Sequence, residues 1–425
     1  MTTDTRPLRK LRSLFRFLGP GLVTGAADDD PSGIATYSLA GAQFGYGLLW
    51  TVVLTWPFMV AVQLISARIG RVTGAGIAAN IRLNMPRPVL LGLVSLLLAA
   101  NTINIAADIA AMGEALQLVV GGGEHGRALL FGVGCVLLQV FVPYKSYAPI
   151  LKWSTLVLFA YVATVFTVNV SWGEALSATF FPAFSARSDY LLVVVAVFGT
   201  TISPYLFFWQ ASQEVEEMEI RGREPLRDLK QGGKRAIERI AIDTTLGMAF
   251  SNIIAFFIIL TTAATLHAHG IKDIQTSAQA AEALRPLAGN FTFALFALGI
   301  VGTGLLAVPV LAGSAAYGMA EALDWKATLS AKPGAAPGFY AIITLATMIG
   351  VLIDFTPIDP IKMLFWSAVI NGIISVPMIV AMMLLVSNPT VMQRFTIPPI
   401  LKATGWAAVA IMTLVLAALV WSIFT

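Results

Sequence analysis

Long runs of apolar residues, separated by short polar connections, make up most of the chain. A helix crosses the hydrocarbon layer of a membrane in about 20 residues, and apolar stretches of about 18 or more recur from Leu18 to the C-terminus. The apolar windows and the residues that punctuate them predict about eleven membrane spans. These are residues 17–42, 46–69, 88–120, 127–143, 149–170, 189–214, 240–266, 291–322, 338–355, 361–386 and 402–424. The pattern therefore predicts an all-α membrane protein.

Two of the predicted spans are interrupted by a proline within a small or polar cluster. The first is interrupted at Asp30-Pro31-Ser32-Gly33 and the sixth at Thr200-Thr201-Ile202-Ser203-Pro204. Interrupted helices at corresponding positions of two halves are typical of inverted-repeat transporters, whose binding site lies near the middle of the membrane. We therefore expect an N-terminal tail at residues 1–16 and one transmembrane domain at 17–425. Its parts are a five-span repeat at about 17–170, a second at about 189–386 and an extra helix at about 402–424.

The composition agrees with a membrane location. Apolar residues make up 57% of the 425 residues, charged residues only 12%, and the mean hydropathy is +0.80. A soluble protein of this size needs more polar surface. Lys and Arg concentrate in the even-numbered connections between spans, and basic connections face the cytoplasm. We therefore predict a cytoplasmic N-terminus, an outside C-terminus and a location in the plasma (inner) membrane of a prokaryote.

Residues that are scarce in this chain argue against several classes of function. The one cysteine, Cys135, can form neither an internal disulfide nor a thiolate cage. The three histidines fall in or beside predicted loops, so no zinc cluster is expected. No pair of nucleophile and base is evident at membrane depth, which argues against an enzyme. The net charge of +4 lies mostly in loops and indicates orientation, so no nucleic-acid partner is predicted. No bound cofactor is predicted either.

The first break carries three consecutive acids, Asp28, Asp29 and Asp30. Each charged side chain at bilayer depth opposes insertion by a few kcal/mol, so three together require water, a cation or a partner. Pro31 and Gly33 favour an unwound segment, which frees carbonyl oxygens and turns the carboxylates into one cavity. Such oxygens suit hard divalent cations. The alternative is that Asp28 and Asp29 line an aqueous vestibule and Asp30 caps the following half-helix.

Other polar residues inside the spans are candidates for an ion path. Asn101, Asn104, Asp108 and Glu114 share the third span at near-helical spacing, so much of the set could face one side of it. Amide side chains also link helices by hydrogen bonds, which is the structural alternative. The remaining candidates for the path or the cavity are Glu214, Gln43 and Asn371.

The first two spans contain a series of motifs in a definite order. They are Leu18-Gly19-Pro20-Gly21, Asp30-Pro31, Gly41-Ala42-Gln43-Phe44-Gly45-Tyr46 with Leu48-Leu49-Trp50, and Ala67-Arg68-Ile69-Gly70 with Val72-Thr73-Gly74. In order and spacing these motifs resemble the first two helices of the Nramp divalent-metal transporters. Ser203-Pro204-Tyr205 falls where that family has Met-Pro-His in its sixth helix. The resemblance implies the LeuT-type fold of sodium-coupled amino-acid transporters, with metal between broken helices 1 and 6.

The chain departs from the family pattern at positions where the family binds metal or transfers protons. Gly33 replaces the asparagine of the Asp-Pro-Gly-Asn motif, and Ser203 replaces a methionine whose soft thioether favours manganese and iron. Tyr205 and Gln210 stand where histidines are usual, and Ala111 replaces the glutamate of the proton relay in the third helix. None of these three replacements exchanges protons near neutral pH. The pattern resembles that of the Nramp-related magnesium transporters.

The resemblance also implies which residues bind the ion. The expected ligands are Asp30, Asp29, the backbone carbonyls of Gly33 and Thr200, and the hydroxyl of Ser203. Residues expected farther from the ion or along its path are Asp28, Tyr205, Gln43, Asp108, Asn104, Glu114, Gln210, Glu214 and Asn371. A partly hydrated ion is expected, because magnesium gives up its water reluctantly.

The hypothesis is a transporter that moves a divalent cation by alternating access, with weak or no coupling to protons. Mg²⁺ is the first candidate and Mn²⁺ the second. The expected partners are membrane lipid and the ion, and the expected state is a monomer. One alternative is a transporter of a small organic solute, amino-acid-like or cationic, although the three acids would repel an anionic one. A non-transporting sensor is another, although no output domain is recognisable.

Overall fold

The computed structural model describes residues 19–121, 124–151, 153–356 and 358–424, which are helical without any β-strand. The predicted tail at residues 1–16 lies outside these ranges. The α-helices are α1 (Pro20–Asp28), α2 (Pro31–Phe44), α3 (Leu49–Thr73), α4 (Ile77–Asn84), α5 (Arg87–Val120), α6 (Glu124–Phe141), α7 (Tyr144–Leu151), α8 (Phe159–Val165), α9 (Trp172–Phe180), α10 (Ser188–Thr201), α11 (Pro204–Ile220), α12 (Lys234–Thr265), α13 (Ser277–Ala281), α14 (Arg285–Ala288), α15 (Thr292–Ala322), α16 (Pro337–Asp354), α17 (Pro360–Ser387), α18 (Pro389–Met392) and α19 (Pro399–Phe424).

The predicted spans coincide with these helices, and their ends differ from the helix ends by a few residues. Eight helical stretches among the described residues are long and apolar enough to cross a membrane, and Gly126–Phe141 and Ser154–Val165 are shorter apolar helices. One of the eight, Pro31–Thr73, contains the second half of the first predicted span and all of the second. The 3₁₀ segment Gly45–Leu48 joins α2 to α3 without a gap.

The fifth predicted span, 149–170, differs most from the structure. Instead of one helix, the chain forms α7, a 3₁₀ segment at Ser154–Leu158, and α8. The hydroxyl of Ser154 lies 2.5 Å from the Leu151 carbonyl and 2.9 Å from the Gly302 carbonyl. Local bonds from serine to backbone compete with regular helical pairing. The prediction of a single continuous helix here is wrong for that reason.

Both predicted breaks are present, and each is two residues long. α1 gives way to α2 at Asp29–Asp30, and α10 gives way to α11 at Ile202–Ser203. In both cases proline takes the first position of the new helix, where its missing N–H is not needed. The residue before the proline is extended, with ψ of 169° at Asp30 and 132° at Ser203, as proline favours.

α1 packs against α12 by direct backbone contact. A Cβ atom added to Gly25 would lie 2.2 Å from the Gly247 carbonyl oxygen, so a side chain at this position would not fit. At the start of α1, the carboxylate of Asp243 accepts the amides of Gly19 and Gly21, each at 2.8 Å. It therefore caps α1 from a neighbouring helix. These contacts place the first break beside the middle of α12.

The second broken pair packs in a similar way. A Cβ atom added to Gly199 of α10 would lie 2.0 Å from the Ala368 carbonyl oxygen of α17. α5 packs against α15, α16 and α17 and brings its polar residues to the first break. α19 is different, since only 22% of its most apolar window is buried. That exposure is expected of a helix that faces lipid at the edge of a bundle.

Candidate metal centre

Asp30 is both a structural cap and the first candidate ligand. The chain is unwound only at Asp29 and Asp30, and Oδ1 of Asp30 accepts the amide of Gly33 at 2.7 Å. This is the capping role that the sequence offered as an alternative. It engages one oxygen and leaves Oδ2 directed at other helices. Capping and cation binding by Asp30 are therefore compatible.

Two side chains from other helices converge on Oδ2 of Asp30. Nδ2 of Asn104 and the hydroxyl of Tyr205 each lie 3.2 Å from it. The same hydroxyl lies 3.0 Å from the carbonyl oxygen of Ala27. Tyrosine has a single hydroxyl proton, so it donates to one of these two acceptors at a time. Tyr205 thus links the carbonyl end of α1 to the carboxylate at the start of α2.

Three oxygens of α5 beside this group have no hydrogen-bond partner among the described residues. They are Oδ1 of Asn104 and both carboxylate oxygens of Asp108, and both side chains are fully buried. The backbone amide of Ser32 interacts with the Asp108 carboxylate, but outside hydrogen-bond geometry. Asp108 follows Asn104 by one helical turn and is close enough to Asp30 for their charges to interact. Buried oxygens without partners are costly. Asp30, Asn104 and Asp108 are therefore the oxygen group best placed to hold a cation.

Asp28 and Asp29 lie on the other side of the break, against α12. The hydroxyl of Ser251 is 2.5 Å from Oδ2 of Asp28 and 2.9 Å from Oδ1 of Asp29. The hydroxyl has one proton for two carboxylates, whose other oxygens have no partner in the described chain. Both acids are only 1% exposed, so neither lines an aqueous vestibule in this conformation. Asp28 and Asp29 therefore contact a helix that Asp30 does not, yet the three carboxylates stay close enough for their charges to interact, and a cavity shared by all three stays a prediction.

The predicted oxygen donors of the second break, in the sixth predicted span, bond to one another. The hydroxyl of Ser203 lies 2.7 Å from the Gly199 carbonyl and 2.8 Å from the Thr200 carbonyl. Gly33 faces this break, since a Cβ atom on it would lie 3.2 Å from the Thr200 hydroxyl. Gly33 itself lies in the first turn of α2, where carbonyls point along the helix. The predicted unwinding through Gly33 is therefore wrong, whereas Thr200 and Ser203 stay predicted ligands.

Gln210 and Glu214 are buried polar residues farther along α11. The hydroxyl of Thr24 lies 2.5 Å from Oε1 of Gln210, whose Nε2 has no partner in the described chain. Glu214 is buried, and its Oε2 lies 3.5 Å from Nη2 of Arg239. Glu214 is therefore enclosed in this conformation, and its place on the ion path stays a prediction.

Two predicted path residues lie apart from Asp30. Glu114 accepts the amide and the hydroxyl of Ser277 at 3.0 and 2.7 Å and so fixes the start of α13. Gln43 follows Asp30 by thirteen residues on the continuous helix α2, a rise of roughly 20 Å. Neither residue therefore contacts Asp30, and their place on the ion path stays a prediction.

Asn371 is buried on α17, near the sixth break. Its Oδ1 has no hydrogen-bond partner in the described part of the chain. The hydroxyl of Ser375 lies 2.7 Å from the Asn371 carbonyl and 2.6 Å from the Ile202 carbonyl, which connects α17 to the unwound residues. Asn371 therefore lies beside the second break, and its place in the cavity or on the ion path stays a prediction.

The charges at the first break have one sign. The charges that act on Asp28, Asp29 and Asp108 are those of neighbouring aspartates. Within the described ranges, no three His, Cys, Asp or Glu side chains lie close enough together to hold a metal ion by themselves. An ion here would complete its shell with amide oxygens, backbone carbonyls or water. The arrangement attracts cations and offers them hard ligands.

Three residues that shape the site were not singled out from the sequence. Ser251 joins the two outlying acids, Asp243 caps α1, and the Tyr37 hydroxyl lies 3.0 Å from Oγ1 of Thr201 and so connects α2 to the sixth break. Asp243 is the one acidic residue of the predicted span at 240–266, and Ser251 is polar in its apolar middle. Those two signals could have identified Asp243 and Ser251.

Comparison with known proteins gives consistent matches over most of the chain. A family model described as "Natural resistance-associated macrophage protein-like" matches residues 21–422. The divalent metal cation transporter MntH of Yersinia pestis (strain Pestoides F) is 29% identical over 315 residues, which cover 71% of each chain. MntH of Yersinia enterocolitica (serotype O:8 / biotype 1B) is 29% identical over 308 residues, 71% of this chain and 72% of its own.

Solved structures share the fold at lower identity. The Eremococcus coleocola manganese transporter superimposes with a TM-score of 0.75 at 16% identity, covering 95% of this chain and 86% of that one. MhsT, solved with L-phenylalanine, gives a TM-score of 0.61 at 13% identity, covering 95% and 98%. Such identities speak for the fold alone. That fold is the LeuT type, with its inverted repeat and broken helices.

Proposed function

Because the chain belongs to the Nramp (natural resistance-associated macrophage protein-like) family, whose members are multi-pass membrane transporters and not enzymes, we propose that it carries a divalent cation by alternating access. Mg²⁺ is the proposed ion and Mn²⁺ the second candidate. The names of its relatives, divalent metal cation transporters and a manganese transporter, support this class of substrate.

One observation carries the proposal. Oδ2 of Asp30 meets Asn104 and Tyr205 beside the unpartnered oxygens of Asp108, in a buried place where nearby charges are negative. Acids at bilayer depth are costly unless a cation or partner compensates them. A divalent ion supplies two positive charges at the point where three helices contribute oxygens. The same burial means that the ion reaches the site only when a helix moves, which is what alternating access requires.

The choice of Mg²⁺ depends on the donors of the sixth break. Ser203 and Tyr205 offer hydroxyl oxygens, whereas thioether and imidazole groups favour softer transition metals. Mg²⁺ prefers oxygen and keeps several waters. With one carboxylate oxygen of Asp30 engaged by the Gly33 amide, a partly hydrated ion fits the remaining donors.

Proton coupling is proposed to be weak. Ala111 is buried one turn beyond Asp108 on α5 and has no group that exchanges protons. Proton exchange near neutral pH is a property of histidine or of strongly perturbed groups. We also propose that the protein acts as a monomer in the plasma membrane of a prokaryote, with its N-terminus in the cytoplasm. The repeats are proposed to run from about 17 to 170 and from about 189 to 386.

The test is uptake into proteoliposomes with internal reporters for the metal and for pH. The wild-type chain is expected to take up Mg²⁺ with little acidification, and Mn²⁺ should be outcompeted by excess Mg²⁺. Asp30→Asn should reduce metal affinity by more than the roughly 10- to 100-fold typical of groups that only orient a ligand. Asp273→Asn, the same change at an exposed residue, is the matched control and should leave uptake unchanged.

Each part of the proposal has an outcome that contradicts it. Uptake that survives Asp30→Asn would place the ion elsewhere. Manganese uptake that resists excess magnesium would contradict the hard-cation assignment, and strong acidification with metal would contradict weak coupling. Uptake of amino acids or polyamines in place of metal would favour an organic solute. Metal binding without any flux would favour a sensor.

A further inference from the structure

A cavity of about 530 Å³ lies where α12 begins, away from the first break. Three basic side chains line it: Arg68 of α3, Lys234 of α12 and Arg394 of the segment before α19. Among the described residues of its wall, none is acidic. A cleft lined by one sign of charge concentrates ions of the opposite sign. This basic cavity should therefore attract an anion.

Carboxylates do little to neutralise the three basic groups. Arg394 donates to the carbonyls of Leu229 and Lys230, both at 2.6 Å, which fix its position and leave its charge uncompensated. Arg68 is half-buried, and no acceptor in the described chain lies within hydrogen-bond distance of its guanidinium. Lys234 is 90% exposed and has only a distant partner, Glu238, at 3.9 Å. An anion in the basic cavity would supply a partner for Arg68.

The N-terminus of α12 lies at the wall of the same cavity, where the ring of Phe395 packs against Gly233. Gly233 precedes the 32-residue helix with φ of 96°, and no side chain caps it. The first amides of a helix lack intrahelical partners, and together with the helix dipole they favour phosphate-like anions. Gly232 and Lys234, on either side of Gly233, both line the cavity. The backbone thus adds donors to those of the three basic side chains.

An apolar groove of about 380 Å³ continues from the basic cavity along α3. Trp56 and Leu64 form one side of it, and Ile400 and Leu401 of α19 form the other. Arg68 lines both spaces and so marks their junction. From Trp56 to Arg68, α3 rises roughly 18 Å. That length is a little more than half of the roughly 30 Å hydrocarbon layer.

We propose that the basic cavity and the apolar groove together bind one anionic phospholipid. Its phosphate lies among Arg68, Lys234 and Arg394, and one acyl chain lies in the groove beside α3. Only an amphiphile fills both spaces, because the charged space leads directly into the apolar one. Basic pockets between transmembrane helices recognise anionic headgroups in this way. The inference does not depend on which ion the protein carries.

The test is native mass spectrometry of the full chain in detergent, titrated with phosphatidylglycerol or with phosphatidylcholine of the same acyl chains. The wild-type chain should bind phosphatidylglycerol preferentially. Arg68→Gln and Arg394→Gln should each weaken that binding about fivefold, and the double variant roughly 25-fold. Arg68→Lys keeps the charge and should keep most of the affinity.

Arg235→Gln is the matched control, because Arg235 is exposed next to Lys234 and does not line the cavity. It should bind phosphatidylglycerol as the wild-type chain does. Equal losses in Arg235→Gln and Arg68→Gln would indicate general charge attraction and overturn the proposal. Equal binding of phosphatidylcholine, or equal competition by inorganic phosphate or a dihexanoyl lipid, would also overturn it. Elution volume and thermal unfolding of every variant show that it is folded before its binding is compared.

Discussion

Asp243→Asn should weaken the attachment of α1 to α12. The Asp243 carboxylate is 4% exposed and accepts two backbone amides, from Gly19 and Gly21, at 2.8 Å each. Asparagine has one acceptor oxygen, so its NH₂ group must face one of these amides. α1 has only nine residues, and a helix of that length is not stable alone in water. Its position therefore depends on contacts with neighbouring helices, among them this cap and the contact between Gly25 and Gly247.

The size of the effect follows from the contacts that are lost. A hydrogen bond to a charged group is worth about 1.5–3 kcal/mol, and a charge at a helix terminus about 0.3–1 kcal/mol. Because asparagine keeps one of the two bonds, we expect α1 to be less stable in its closed position by about 2–3 kcal/mol. At tenfold per 1.4 kcal/mol, the population with α1 detached rises about 30- to 140-fold.

Hydrogen exchange of the backbone amides of α1, followed by mass spectrometry, measures that population directly. Peptides covering residues 20–28 should exchange faster in Asp243→Asn by the same factor. Asp359→Asn is the matched control, because Asp359 caps α17 by accepting the amides of Ile361 and Lys362 at 2.9 and 3.2 Å. It should leave α1 unchanged. Unaltered exchange of α1 in a folded Asp243→Asn protein would refute the argument.

Three further predictions concern single side chains. Tyr205→Phe removes the hydroxyl beside Asp30 Oδ2, so metal affinity measured by calorimetry should fall about 10- to 100-fold. An unchanged affinity would show that Tyr205 does not contribute to metal binding. Ser251→Ala leaves Asp28 and Asp29 without their shared donor and should lower the free energy of unfolding by about 1–3 kcal/mol. Thermal unfolding with and without Mg²⁺ tests this, and an unchanged midpoint in both would contradict it. Glu114→Gln weakens the hydrogen bonds to Ser277 and should lower the free energy of unfolding by about 1 kcal/mol while leaving uptake unchanged. A loss of uptake would instead indicate that Glu114 lies on the ion path.

The helices and the two breaks could be predicted because their causes are local. Apolar windows identify spans without any knowledge of neighbours, and proline restricts the residue before it wherever it occurs. Pro31 and Pro204 therefore give the position of each break to within a residue. The fifth span was less predictable, because Ser154 bonds to the carbonyl of Gly302, far away in the sequence.

The directions in which the three acidic side chains point also depend on contacts with residues distant in the sequence, so they could not be predicted. Asp28, Asp29 and Asp30 are neighbours in sequence, yet the first two contact α12 and the third contacts α5 and α11. A two-residue turn separates them, and its dihedral angles depend on packing that no local pattern specifies. Glu114 shares a helix with Asp108, but its partner Ser277 begins α13, which is distant in the sequence.

The contacts of α12 show what a pattern in the sequence can and cannot give. Asp243, Gly247 and Ser251 are spaced four residues apart, so they lie on one face of the helix. All three contact the first broken helix: the first binds its initial amides, the second its backbone, and the third its two last acids. The spacing is visible in the sequence, but the partner is not. Because one face of α12 contacts both the cap of α1 and the acids at the break, any movement of α1 away from α12 must also break the Ser251 contacts. Access to the site and the environment of its acids are therefore expected to change together.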